Sequence, residues 1–147
     1  GAAFKGIGSD DPLVRMRAAD VCEKVSASHP EVLQPFKTDL LYRVAAIEQQ
    51  EVRWHVAQML PRLKLDDAER SRAVEVLIGY LSDASKIVKT FSMEALAACA
   101  EKDRAIRPRV TALLEELTKA GSPAMKSRGR KLLKKLNLDS LDSTRPA

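Results

Sequence analysis

Trp54, His55 and Gln58 fall within five residues of one another in EVRWHVAQMLPRL, residues 51–63, and they include the chain's only tryptophan. An imidazole can move protons, an amide can orient a polar group, and an indole offers a large apolar face. Proton transfer would need a nucleophile or a substrate proton within reach of His55, and usually an acid to orient the ring. Gln58 lies one turn away, but no signature in the chain supplies a nucleophile. His55 is therefore expected to be solvated or hydrogen-bonded, not catalytic. An aromatic set among cations, Trp54 with Arg53 and Arg62, is instead the composition of a binding hot spot.

Other residues that carry chemistry are poorly placed for it. Two cysteines and two histidines, Cys22, His29, His55 and Cys99, show no zinc-ligand spacing, so no metal is expected. Both cysteines fall on apolar stripes and read as buried thiols of a reducing cytoplasm. The stretch GIGSD, residues 6–10, has two glycines near a helix start but no preceding strand and no full Gly-rich spacing, so it reads as leader and not as a phosphate loop. Asp66 and Asp67 read as a helix cap, not a carboxylate pair. No cofactor is expected and no enzyme activity.

One charge feature is sharper. The net charge is +5, unevenly spread: residues 1–100 hold 13 Lys/Arg against 14 Asp/Glu, and residues 101–147 hold 12 against 6. From Lys119 to Lys135 there are seven basic residues and no acidic one. Such a run can be the solvated outer face of a terminal repeat, with cations suiting a helix C-terminus. It can equally be an anion-binding end, for an acidic protein surface or a phosphate backbone.

The elements that must position these residues are helices. Ala, Leu, Arg, Lys and Glu dominate, and aromatics make up only 4%. No apolar run reaches the roughly 18 residues of a membrane span. The segments LVRMRAADVCEKV, EVRWHVAQMLPRL, IVKTFSMEALAAC and AMKSRGRKLLKKL align on Val14, Val52, Val88 and Met125, spaced 38, 36 and 37 apart. Offsets 0, 4, 7, 8 and 11 from each anchor are apolar or small, which traces one stripe on an α-helix. Second helices are expected near 12–27, 49–63, 84–100 and 122–136. First helices, marked by Leu41, Leu77 and Leu114, are expected near 30–45, 66–81 and 104–119. Asp11-Pro12 and Ser122-Pro123 read as N-cap plus first-turn proline, and Asp66 with Glu69 as a capping box. Pro35 and Pro108 should bend or delay their helices.

This pattern resembles the HEAT repeat family. Val14-Arg15, Val52-Arg53, Val88-Lys89 and the small-then-leucine spacing after them carry the resemblance, which covers roughly residues 11–136. The period is shorter than the usual ~40–47 residues. The last repeat departs most, with Met125-Lys126 at the anchor and Gly129 in mid-helix. The first lacks a full leading helix. The resemblance implies an all-α fold: a right-handed α-solenoid, an armadillo-like α-α superhelix of about three and a half HEAT-like helix pairs. Second helices would line its concave face and first helices its convex face. It also implies that Arg15, Arg53, Lys89 and Lys126 form a mainly structural polar ladder. Residues 1–10 would be a flexible leader, 11–136 the repeat domain and 137–147 a disordered tail.

If the stripe packs inward, offsets 2, 3, 6 and 10 face a partner. These are Met16, Arg17, Asp20 and Lys24; Trp54, His55, Gln58 and Arg62; Thr90, Phe91, Glu94 and Ala98; and Ser127, Arg128, Lys131 and Lys135. An error of one position would rotate Trp54 by about 100° and pack it under a neighbouring helix instead. The expectation is a cytoplasmic, monomeric scaffold without catalytic chemistry, binding a protein partner on the concave face. Its contact residues would be Arg17, Trp54, His55, Gln58, Arg62, Phe91, Glu94, Arg128, Lys131 and Lys135. The alternative is nucleic-acid binding through the basic C-terminal end, on an architecture like that of HEAT-like alkylation-repair glycosylases, although no catalytic Asp can be matched. Some HEAT-like proteins act as bilin lyases or their partners, but no residue here specifies that site.

Overall fold

Short polar residues set the helix starts. The Asp11 carboxylate accepts a hydrogen bond from the Leu13 amide at 2.9 Å and Pro12 follows at once, so α2 (Pro12–Ser28) begins there. The Asp66–Glu69 box is complete, each side chain accepting from the other residue's amide, and it opens α5 (Asp67–Tyr80). Ser85 caps α6 (Lys86–Lys102), and Ser122 caps α8 (Pro123–Thr144). Between these lie α4 (Gln50–Met59), which tightens into a 3₁₀ turn at Leu60–Arg62 around Pro61, and α7 (Arg107–Ala120). Pro108 sits in the first turn of α7, where no helix hydrogen bond is lost.

The computed structural model describes residues 1–144, with side chains through residue 137, and every regular element among them is helical. The expected first helix at 30–45 is the irregular one. Pro30 and Pro35 force a 3₁₀ stretch over Pro30–Phe36. A single α-turn follows, α3 (Lys37–Asp39), then a π-turn over Leu40–Val44. Its apolar side survives, because Leu33, Leu40, Leu41 and Val44 are all buried.

Helices α2, α4, α6 and α8 pack side by side in chain order. Helix α5 lies on α6 and α7 on α8, so each later repeat is a helix pair. The stripe is the core of this array. Val52, Val56, Met59, Leu60 and Leu63 are all buried, as are Val88, Ser92, Ala95, Leu96 and Cys99. Polar groups then tie the layers together. The Tyr80 hydroxyl donates to the Ala45 carbonyl at 2.8 Å, and burial pushes its pKa well above the ordinary value.

Three expectations are corrected here. The leader is folded: Ala2–Gly6 forms a short helix, α1, against α2, and buries Phe4 and Ile7 in the core. Phe4 also stacks on Phe36 at 4.1 Å between ring centroids. The tail expected to be disordered from 137 is helical through Thr144, with no glycine or proline between Leu136 and Thr144 to break α8; residues 145–147 lie outside the described residues. The first stripe is only partly buried. Ala18 and Cys22 are covered, but Val14, Val21 and Val25 are 42–48% exposed. The same positions are buried in α4 and α6 because the preceding second helix packs on them, and α2 has only the five-residue α1 beyond it.

The polar ladder forms in two of its four rungs. Arg15 donates from Nε to the Gln49 side chain at 2.8 Å, and Gln49 donates back to the Pro12 carbonyl. Arg53 meets Asp83 at 2.6 Å and the Ile47 carbonyl at 3.2 Å. Burial pushes the Asp83 carboxyl up, but the Ser85 amide and the Arg53 guanidinium outweigh it and hold it below the usual carboxylate range. Lys89 and Lys126 make no ion pair among the described residues.

Candidate partner-binding groove

Parallel stacking of the second helices sets the same flank of each beside the next. Met16, Arg17 and Asp20 of α2, Trp54 and Gln58 of α4, and Phe91 of α6 line one open groove of about 430 Å³. A second groove shares Gln58 and Phe91 and continues over Ala57, Ala95 and Ala98 towards Glu94 and Lys102. The two form one channel across three helices, with Phe91 where they meet. The channel is floored by alanines, which let a partner approach close to the helix backbones.

Trp54 and Phe91 are both half-buried, packed against the core on one side and open to the channel on the other. Neither of the two alternatives for Trp54 describes it fully: part of the indole is core and part is surface. Gln58 is also half-buried and donates to the Trp54 carbonyl at 3.2 Å, which fixes its amide beside the indole. Arg17 is exposed on the rim.

Two of the expected contact residues serve the fold. His55 is buried, at 6% exposure, with only the edge of its ring lining the first groove. Its Nδ1 meets the Glu51 carbonyl, and its Nε2 lies 3.2 Å from Asp20 Oδ1 on α2. Both partners are acceptors, so a neutral ring satisfies one and a protonated ring both. The Asp20 carboxyl is held below its ordinary range, chiefly by the hydrogen bond from Lys24, with His55 adding to it. Arg62 is the second case. Its guanidinium donates to the Glu23 carbonyl at 2.7 Å, the Ser26 hydroxyl at 2.8 Å and the Glu23 carboxylate at 3.2 Å. It locks α4 to the end of α2.

The remaining charged candidates separate into two groups. Glu94 pairs with Arg128 at 2.6 Å, and Glu101 with Lys135 at 3.1 Å. These bridges tie α6 to α8 and neutralise that wall of the channel. Lys131 is exposed on α8 and lies away from Trp54 and Phe91, so the structure does not bring it into the same site. Lys102, not among the residues expected from the sequence, donates its ammonium to the Pro61 carbonyl and lines the channel. The signal was present: Lys102 stands fourteen residues after Val88, on the flank already marked by Phe91, Glu94 and Ala98.

No group of three or more His, Cys, Asp or Glu among the described residues could hold a metal ion. Cys22 and Cys99 are free and buried, and burial pushes the Cys99 thiol up to about 11, so it is protonated at neutral pH. No described helix is long and apolar enough to cross a membrane. Comparison with protein-family models returned no match, and comparison with curated proteins found no significant relative.

Proposed function

We propose that the chain is a HEAT-like, right-handed α-solenoid whose concave face binds a protein partner without catalysis. The observation that carries this reading is the channel joining Trp54 and Phe91 across α2, α4 and α6. Protein interfaces concentrate their energy in aromatic anchors within a core from which charges are depleted, surrounded by a polar rim. The channel has that layout: two half-open aromatics, an alanine floor, and charges consumed in pairs with one another. Trp54, Gln58 and Phe91 are the central contacts, and Arg17, Lys102 and the Glu94–Arg128 bridge are the rim. His55 and Arg62 hold the helices that present them.

Capture from an extract of the source cells, with and without nuclease, tests this. The reading expects a protein that is retained after nuclease treatment and lost when Phe91→Ala is used as bait. Retention by the variant at wild-type level would show that the channel is not the binding site.

A further inference from the structure

The outer face of α8 has no part in the channel. Helical geometry, at 100° per residue, puts Met125, Gly129 and Leu136 on the buried side of α8, where all three are covered. Arg128 and Lys135 fall on the flank that pairs with Glu94 and Glu101 of α6. That leaves Lys126, Arg130 and Lys134 at four-residue spacing, with Lys131 beside them. Arg130, Lys131 and Lys134 are exposed, Lys126 is half-exposed, and none of the four makes an ion pair among the described residues. At about 1.5 Å per residue they form a strip roughly 12 Å long with no acidic side chain inside it. Glu115 and Glu116 of α7, the nearest acids earlier in the chain, lie outside this run.

We propose that this strip binds the phosphate backbone of duplex nucleic acid, without reading its sequence. Three properties favour phosphates over other anionic partners. Lysine is depleted in protein–protein interfaces, and the strip offers no exposed aromatic or aliphatic anchor. Amphipathic helices that lie on membranes insert an apolar face, and that face of α8 is already buried against α6 and α7. A duplex, in contrast, carries one negative charge per about 1.7 Å of its axis, and a one-sign strip of this length gains by releasing its condensed counterions. The contacts are to backbone, since pairing of these cations with phosphates does not depend on base sequence.

A fluorescein-labelled duplex of arbitrary sequence, titrated with the whole chain and followed by anisotropy, tests this. With about four phosphates contacted, log K should fall with log salt at a slope of about −3 to −4, a loss of ~10²-fold between 50 and 200 mM salt. Arg130→Gln with Lys134→Gln should weaken binding about tenfold or more while circular dichroism stays unchanged. If that pair disturbs the helix, Lys126→Gln with Lys131→Gln makes the same test. Phe91→Ala should leave duplex binding intact, which separates this strip from the channel. Absence of binding at 50 mM salt, or indifference to both double variants, overturns the proposal. So does equal competition by poly-glutamate at matched charge, which would point to an acidic protein surface. Stronger binding to phosphatidylserine vesicles than to duplex would point to a membrane and overturn it as well.

Discussion

Trp54 is part core and part surface, and its energetics should reflect both. A buried indole covers about 150–250 Å², and about two thirds or more of that is removed from water here, so at about 25 cal/mol per Å² Trp54→Ala should cost about 3 kcal/mol. Urea denaturation measures this. A loss of about 5 kcal/mol would mean a full core residue, and no loss would mean an indole lying free on the surface. Asp83 makes a different residue-scale prediction. Its folded pKa is depressed by the Ser85 amide and Arg53 against the opposing effect of burial. Its contribution to stability is therefore complete above the unfolded carboxylate value of about 4 and is lost as pH falls through the lower folded value. The melting-temperature gap between the wild type and Asp83→Asn should be constant from pH 7 to about 5, then narrow towards pH 2. A gap that widened on acidification would contradict the Arg53–Asp83 rung.

Gly129 shows how two effects of comparable size are decided at the scale of a helix. Replacing a mid-helix glycine with alanine ordinarily gains about 1 kcal/mol of helix propensity. Here a Cβ would meet the Thr118 hydroxyl at 1.9 Å and the Thr118 Cβ at 3.1 Å, where α8 crosses α7. That hydroxyl already donates to the Leu114 carbonyl at 2.6 Å. Overpacking costs about 1–3 kcal/mol, so Gly129→Ala should be net destabilising, and Thr118→Ala in the same chain should recover part of the loss. Urea midpoints of the wild type and the two variants check it, and a stabilised Gly129→Ala would contradict the close crossing. What in sequence looked like a departure from the repeat is the residue that lets α7 and α8 meet. The stripe makes a paired prediction. Val52→Ala removes two buried methyl groups and should cost about 2–3 kcal/mol, whereas Val25→Ala, at the exposed end of α2, should stay within about 0.5 kcal/mol. Equal costs in the two denaturation curves would mean that the end of α2 is covered. The helix positions were legible because 3.6-residue periodicity and capping residues are local signals. The irregular backbone at 30–44 was legible only as a bend at Pro35, since the π-turn depends on packing that periodicity does not carry. Val14, Val21 and Val25 were misjudged because a stripe marks what a helix can bury and not whether a neighbour is there to cover it. The fold contacts of His55 and Arg62 were not legible for the related reason that a polar residue on the open flank can be taken up by the adjacent helix, here through Asp20, Glu23 and Ser26.

At the scale of the molecule, the array separates two surfaces. Most charges on the channel side are matched in pairs, Asp20 with Lys24 within α2, and Glu23 with Arg62, Glu94 with Arg128 and Glu101 with Lys135 from helix to helix. On the outer face of α8, Lys126, Arg130, Lys131 and Lys134 make no ion pair among the described residues. The first surface is suited to desolvation around aromatic anchors and the second to a solvated, salt-sensitive contact. Their partners should accordingly respond in opposite ways, the first to truncation of Phe91 and the second to ionic strength. The central claim, that the channel holds a protein partner, is tested most directly by placing a benzophenone photo-crosslinking residue at Phe91 and, in a second chain, at the exposed Ala68 of α5, and irradiating each in extract of the source cells. One dominant, nuclease-resistant protein adduct is expected from position 91 and none from position 68. No adduct from 91, or the same adducts from both positions, would contradict it.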